Sequence, residues 1–260
     1  MNNYKKHLTR EYSTIRSALE QLSGVGLDTI LFVINESQQL IGSITDGDIR
    51  RGLLKEFNLE SPIDKIINRK PKYINNFEYS IDEIKNLRKN NYTVIPVTDN
   101  NGVVLSIINF RFTVSYLPID AVVMAGGLGI RLKPLTDNTP KPLLKVGEKT
   151  IIDYNIDGLI KYGINNFWIS INYLGNQIKE HFGNGNSRNV KIEYVDEDFP
   201  LGTIGAVRKI NDFKHDYVMV TNSDILTNLN YEDFFKDFIE KDADMSVVTI
   251  PYDVKIPYAV

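Results

Sequence analysis

Apolar and polar positions along the chain follow two rhythms that change near Pro118. In the first half, residues 31–44 (LFVINESQQLIGSI) align without a gap with residues 94–107 (VIPVTDNNGVVLSI), an offset of 63. Each segment reads as an apolar strand, a polar turn and a second apolar strand. Ahead of the first, Ile15, Ala18, Leu19 and Leu22 fall at helical spacing. Ahead of the second, Ser80 with Glu83 predicts a capping box, and Ile81, Ile84 and Leu87 form the apolar stripe. The pattern predicts a helix–strand–strand–helix unit occurring twice, over about 1–58 and 59–117.

Beyond Pro118, apolar runs alternate with helical stretches. Strands are predicted over 121–125, 167–171, 190–195, 217–221 and 245–250, and helices over 152–162, 177–182, 204–210 and 231–241. This alternation predicts a second unit over 118–260, a mostly parallel, Rossmann-like α/β sheet with helices on both faces. Ligands in such sheets sit at the carboxyl ends of the strands.

Composition narrows the function. The chain has 260 residues, 42% hydrophobic and 24% charged, an ordinary globular balance. It has no cysteine, which excludes disulfides and thiolate metal sites and suits a reducing cytoplasm. No signal peptide or apolar run of membrane-spanning length is evident. Residues 1–115 carry 15 Lys+Arg and 13 Asp+Glu, and residues 116–260 carry 15 and 20. That balance argues against a nucleic-acid surface and leaves room for a local anion site. His7, His181 and His215 form no cluster and read as surface or loop residues. Glu232, Asp233, Asp237 and Glu240 read as a solvated helix face.

The chemistry concentrates after the first strand of the second unit. Ala125 leads into Gly126-Gly127-Leu128-Gly129-Ile130-Arg131-Leu132-Lys133-Pro134-Leu135-Thr136, and Pro140-Lys141-Pro142-Leu143-Leu144 follows. Three glycines in four residues allow close approach of backbone N–H groups to an anion. Arg131 adds a planar fork and Lys141 a mobile point charge. Neither the Walker loop nor the dinucleotide fingerprint is present. The string resembles the signature of the nucleotide-sugar pyrophosphorylases, of the guanylyltransferase kind. Asn172 to Gly183 resembles a strand–turn–helix of the same family, and Glu197-Asp198-Phe199-Pro200-Leu201-Gly202-Thr203-Ile204-Gly205-Ala206 resembles its base and sugar loop.

The resemblance implies that a sugar-1-phosphate oxygen attacks the α-phosphorus of a nucleoside triphosphate and pyrophosphate leaves. It implies that Ala125, Gly126, Gly127 and Gly129 cradle the nucleotide, that Arg131 and Lys141 act on the triphosphate, and that Glu197 and Gly202 face the base. A carboxylate accepts from both N1 and N2 of guanine but meets acceptor oxygens at O2 and O4 of uracil, so Glu197 favours GTP. Val220 to Leu226 resembles the family's Asn-x-Asp-x-Leu segment, which makes Asp224 the Mg²⁺ ligand.

In the first half, the residues after the first strand pair are Gly42-Ser43-Ile44-Thr45-Asp46-Gly47-Asp48-Ile49. Thr45 and Asp48 resemble the Thr-x-x-Asp of the CBS domain, whose Thr and Asp hold the phosphate and ribose of an adenine nucleotide. A plain helix cap explains the same two residues. In the second copy Ile108 and Arg111 fall at the aligned positions, which puts a second nucleotide site in doubt. The resemblance thus implies a CBS pair that regulates the nucleotidyltransferase behind it and associates as a homo-oligomer. It also implies further catalytic segments beyond Val260, so the chain reads as C-terminally truncated. The competing expectation is a nucleotide sensor without catalysis.

Overall fold

The computed structural model describes residues 4–251 except Phe77, Pro200 and Thr203. Two small three-stranded sheets and one four-stranded parallel sheet make up its core. The first sheet holds β1 (Leu8–Arg10), β2 (Ile30–Ile34) and β3 (Leu40–Thr45), with α1 (Ile15–Gly24) and α2 (Asp46–Leu53) packed on it. Ile15, Ala18 and Leu22 of α1 are buried, as their spacing predicts. The second sheet holds β4 (Ile74–Asn75), β5 (Val94–Thr98) and β6 (Val104–Asn109), packed by α3 (Ile81–Lys89). In both sheets the first pairing is parallel, the second antiparallel, and a bulge interrupts the second.

The duplication is real, but its offset is 64, not 63. Ile30 pairs with Thr45 and Val94 with Asn109, and the bulges follow Val33 and Val97. A one-residue slip turns every strand side chain to the other face, and an apolar run buried on both faces gives the sequence no means to detect it. The position equivalent to Thr45 is therefore Asn109, and that of Asp48 is Phe112, not Ile108 and Arg111. The closing helix of the second copy is also absent. One turn forms after Asn109, and then Val114 N–H donates to Lys161 O (2.5 Å) and Leu117 N–H to Tyr162 O (3.0 Å), drawing the chain away. Asn109 and Arg111 instead brace the first copy, reaching the buried Asp28 carboxylate at 2.5 and 2.7 Å. Phe32, Val94 and Ile107 form a small core between the two sheets.

The large sheet contains β7 (Ile119–Met124), β10 (Asn166–Ile171), β11 (Lys191–Asp196) and β12 (Tyr217–Asn222), all parallel, in the order β11-β10-β7-β12. Between β7 and β10 lie the short hairpin β8 (Lys145–Val146) and β9 (Lys149–Thr150) and the helix α4 (Ile151–Ile160). Helices α5 (Gly175–Phe182) and α6 (Tyr231–Glu240) complete the unit. Ile119, Ala121 and Val123 of β7 pack against α4, α5 and Phe235. The opposite face, through Val122, meets Ala206, Val207, Ile210 and Phe213. The expected helix at 204–210 is a 3-10 segment (Gly205–Lys209), so α-helices cover one face only. The expected strand at 245–250 does not form: the segment is unpaired, with Met245 71% and Ile250 83% exposed. β12 leaves one edge of the large sheet open, but among the described residues this segment neither pairs with it nor is covered by a packing layer, and strand propensity is not realised without both.

The halves are joined by more than the chain. Ile81 of α3 belongs to the core of the large sheet. Arg88 donates to Glu232 (2.7 Å), Lys85 to Asp233 (2.7 Å) and Lys236 to Asp82 (2.7 Å). The expected solvated face of α6 is thus corrected in part. Glu232 is only 3% exposed, because α3 covers it.

Candidate functional site

The sheet order places β7 and β12 side by side although the chain leaves β7 toward β10 first. Such a reversal opens a crevice at the carboxyl ends of the two strands. The glycine loop starts at that end of β7, and Ser223 and Asp224 follow β12. Ala125 N–H donates to Ser170 O (2.8 Å) and Ser223 N–H to Met124 O (3.1 Å), which anchors both loops to the sheet.

Gly129 has φ +62, and a β-carbon there would lie 2.9 Å from Thr136 Cγ2 and 3.2 Å from Lys141 Cβ. The buried Thr136 hydroxyl donates to Gly129 O (2.9 Å), closing the loop on itself. Gly129 is therefore required by conformation and by contact. Gly127 faces open space, with its backbone exposed. A β-carbon on Gly126 would lie 3.2 Å from Glu197 Oε1 and 3.3 Å from Asn172 Cβ. The structure thus brings Gly126 and Glu197, 71 positions apart in the chain, into contact.

Glu197 follows β11 and is held on every side. Its N–H donates to Ile171 O (2.9 Å), and its carbonyl accepts from Asn172 Nδ2 (2.6 Å). The Ser170 hydroxyl donates to Oε1, and Leu201 N–H donates to Oε2 (3.2 Å). Ser170, fully buried at the end of β10, was not singled out in the sequence; only its position next to a predicted strand end pointed to it. Gly202 is exposed at φ +77, in an open turn. Pro200 and Thr203 of the expected base loop lie outside the described residues, as do residues 256–260.

On the other side of the loop, Lys141 Nζ forms an ion pair with Asp224 Oδ2, both side chains about one-third exposed. Arg131 is exposed on the 3-10 turn Ile130–Leu132, and among the described residues its guanidinium has no partner. The described residues contain no group of three or more His, Asp and Glu able to hold a metal ion by themselves. Two clefts, of about 660 Å³ along α3 and about 560 Å³ between α4 and residues 225–231, lie outside the glycine loop.

Thr45 and Asp48 meet at the start of α2 in a full capping box. Thr45 N–H and Oγ1 donate to Asp48 Oδ2 (2.9 and 2.7 Å), and Asp48 N–H donates to Thr45 Oγ1 (3.3 Å). Arg51 donates to Asp48 Oδ1 (2.5 Å). Ser80 makes the forward bond of its box, accepting from Glu83 N–H (3.2 Å).

Of the three histidines only His7 departs from the surface-or-loop expectation; His181 is exposed and His215 lies in the loop before β12. His7 is buried, 3.1 Å from Ile30 O. His181 lies on α5 beside the buried Asp153 (2.8 Å), which Arg188 also reaches (2.7 Å). His215 contacts Asp120 (2.9 Å), which is wholly buried. Burial pushes the Asp120 carboxyl up. The His215 ring and the amides of Lys214 and His215 outweigh it and hold the group below its ordinary value. Asp153 is likewise held low: burial raises it, but the Thr150 hydroxyl, His181 and the Thr150 amide lower it further. Asp120 ties β7 to the segment before β12, and Asp153 ties α4 to α5 and Arg188.

Known sugar-1-phosphate nucleotidyltransferases are similar to this chain. The chain is 34% identical over 110 residues to mannose-1-phosphate guanylyltransferase of Mycobacterium tuberculosis, covering 42% of this chain and 31% of that protein. It is 31% identical over 134 residues to D-glycero-alpha-D-manno-heptose 1-phosphate guanylyltransferase of Aneurinibacillus thermoaerophilus, covering 51% and 58%. It is 27% identical over 154 residues to UTP–glucose-1-phosphate uridylyltransferase of Synechocystis, covering 54% and 40%. The chain thus spans between about a third and somewhat over half of the length of these relatives. The CBS domain family matches residues 8–55. Because the nucleotidyl transferase family matches residues 120–259, more than half of its length, this chain belongs to that family and carries a CBS domain in front.

Proposed function

We propose that the chain forms a nucleoside-diphosphate sugar and pyrophosphate from GTP and a hexose- or aminohexose-1-phosphate, with residues 118–260 as the nucleotidyltransferase unit and residues 1–117 as a regulatory CBS pair. One observation carries the reading. The exposed backbone of Gly127, the exposed Arg131, the Lys141–Asp224 pair and the fixed carboxylate of Glu197 all border one loop at the carboxyl end of β7.

In this reading the backbone N–H groups from Ala125 to Gly129 receive phosphate oxygens. Arg131 clamps the triphosphate, and Lys141 turns from Asp224 toward the charge that grows on the leaving pyrophosphate. Positioning and charge stabilisation are the main demands of such a transfer. Asp224 fits a Mg²⁺ ion, which takes one or two carboxylates and completes its shell with substrate phosphate and water. Its carboxylate already holds a cation, the Lys141 ammonium. The ion's chemistry would be to neutralise the phosphates. Glu197 and Gly202 face the base, with Glu197 selecting guanine. Thr45 and Asp48 bind an adenine nucleotide at the α2 N-terminus, where Arg51 adds a cation.

The test is nucleotide binding to the 260-residue chain with Mg²⁺, comparing GTP, CTP, UTP, dTTP and ATP, followed by pyrophosphate release with hexose-1-phosphates. Tight GTP binding lost on Arg131→Ala is the expected result. Binding of ATP alone, unaffected by Arg131→Ala, would leave a nucleotide sensor in place of the enzyme.

A further inference from the structure

We propose that Ser170 is a positioning residue that sets base selectivity, by fixing which lone pairs of Glu197 are left for the nucleotide; this rests on the reading of Glu197 as the base-facing residue. An ionised carboxylate has about four lone-pair sites, two on each oxygen. The Ser170 hydroxyl occupies one on Oε1, and Leu201 N–H occupies one on Oε2. One lone pair therefore remains on each oxygen. That remainder matches a ligand edge bearing two adjacent N–H donors, which is what N1 and N2 of guanine present. It matches poorly an edge with a single N–H flanked by carbonyl oxygens, as in uracil.

The two donors also fix the plane of the carboxylate. Ser170 is 0% exposed, and its own carbonyl accepts from Ala125 N–H, the residue that opens the glycine loop (2.8 Å). One residue of β10 thus holds the base-facing acid through its side chain and the phosphate-facing loop through its backbone. Glu197 Oε1 lies against Gly126, whose missing β-carbon leaves the carboxylate room at the loop. Without the Ser170 hydroxyl, Oε1 loses its fixed donor. The carboxylate then turns about its last bond and takes water in place of the serine, and the match to two donors is blurred.

The experiment measures dissociation constants of GTP, ITP and UTP for the full chain with Mg²⁺, in the wild type, Ser170→Ala and Glu197→Gln. ITP keeps the N1 hydrogen and lacks the N2 amine. In the wild type GTP is expected to bind more tightly than ITP, and ITP more tightly than UTP. Ser170→Ala is expected to lower the GTP-over-ITP and GTP-over-UTP ratios by about tenfold, the scale of one charge-assisted hydrogen bond. An equal loss for all three nucleotides would mean that Ser170 only supports the fold, and would overturn the proposal. Equal wild-type affinity for GTP and ITP overturns the lone-pair count whatever the variants do. If Glu197→Gln shifts the ratios and a folded Ser170→Ala does not, the proposal fails and the Glu197 reading stands. If neither variant shifts them, the Glu197 reading itself fails.

Discussion

Replacing Arg88 by methionine isolates one of the contacts that dock the two halves of the chain. Arg88 donates to Glu232 Oε1 at 2.7 Å, and the Glu232 side chain is 4% exposed. Its other oxygen, Oε2, is buried without a hydrogen-bond partner among the described residues. Removing the arginine leaves a carboxylate already short of one partner with only Lys85, at 3.8 Å. Breaking a buried pair from one side costs about 3–5 kcal/mol. The remaining lysine and the partial exposure of Arg88 place this case near the lower end, at about 3 kcal/mol. Glu232→Gln removes the charge and strands an arginine that water still reaches, so it costs about 1 kcal/mol. The double variant should lie close to Glu232→Gln alone, which makes the two substitutions strongly non-additive. Trp168 is the sole tryptophan and lies in the large sheet, so its fluorescence follows unfolding of that half in urea. With a urea slope of about 3 kcal/mol per M, Arg88→Met should lower the midpoint by about 1 M. A loss below about 1 kcal/mol, or strict additivity in the double variant, would refute the claim that α3 buries and neutralises this acid.

Three further outcomes follow from the geometry. Gly129→Ala forces a side chain into φ +62 and a 2.9 Å contact with Thr136, whereas Gly127→Ala meets nothing within 4 Å; the first should lower the unfolding free energy, and the second should leave that free energy within about 0.5 kcal/mol while weakening GTP binding, so equal effects in both assays would contradict the cradle. Asp48→Ala breaks the capping box and should cost about 1 kcal/mol; the proposed adenine-nucleotide site also requires AMP and ATP affinity to fall, measured by calorimetry, and unchanged affinity sinks that site. Asp120 and Asp153 are held below the ordinary carboxylate value. Their stabilisation is fully present above that value, about 3.9, and is lost as pH falls through the depressed folded value. Asp120→Asn should therefore lower stability at neutral pH and flatten its acid decline, and an unchanged slope in acid unfolding would exclude Asp120 as a source.

The sequence determined more here than hydrophobic pattern alone supplies. Helices α1, α3, α4, α5 and α6 and the four strands of the large sheet fall close to where apolar spacing and caps place them, because each depends on local periodicity and on one buried face. The glycine-loop string was legible in part for a related reason: Gly129 answers to the nearby Thr136, whereas Gly126 answers to Glu197 and Asn172, which only the fold brings to it. Tertiary structure decided the rest. The repeat register depended on strand pairing, and a buried apolar run cannot distinguish an offset of 63 from 64. Residues 245–250 have a strand's composition but pair with no strand among the described residues, although β12 leaves a sheet edge open. The acids of α6 looked solvated until α3, some 150 positions earlier, was laid against them. Ser170 carried no motif; its role arises where β10 and β11 run parallel and end together, bringing its hydroxyl to Glu197. A side chain's partners across the sheet are set by topology, and topology is not written in the spacing of any one segment.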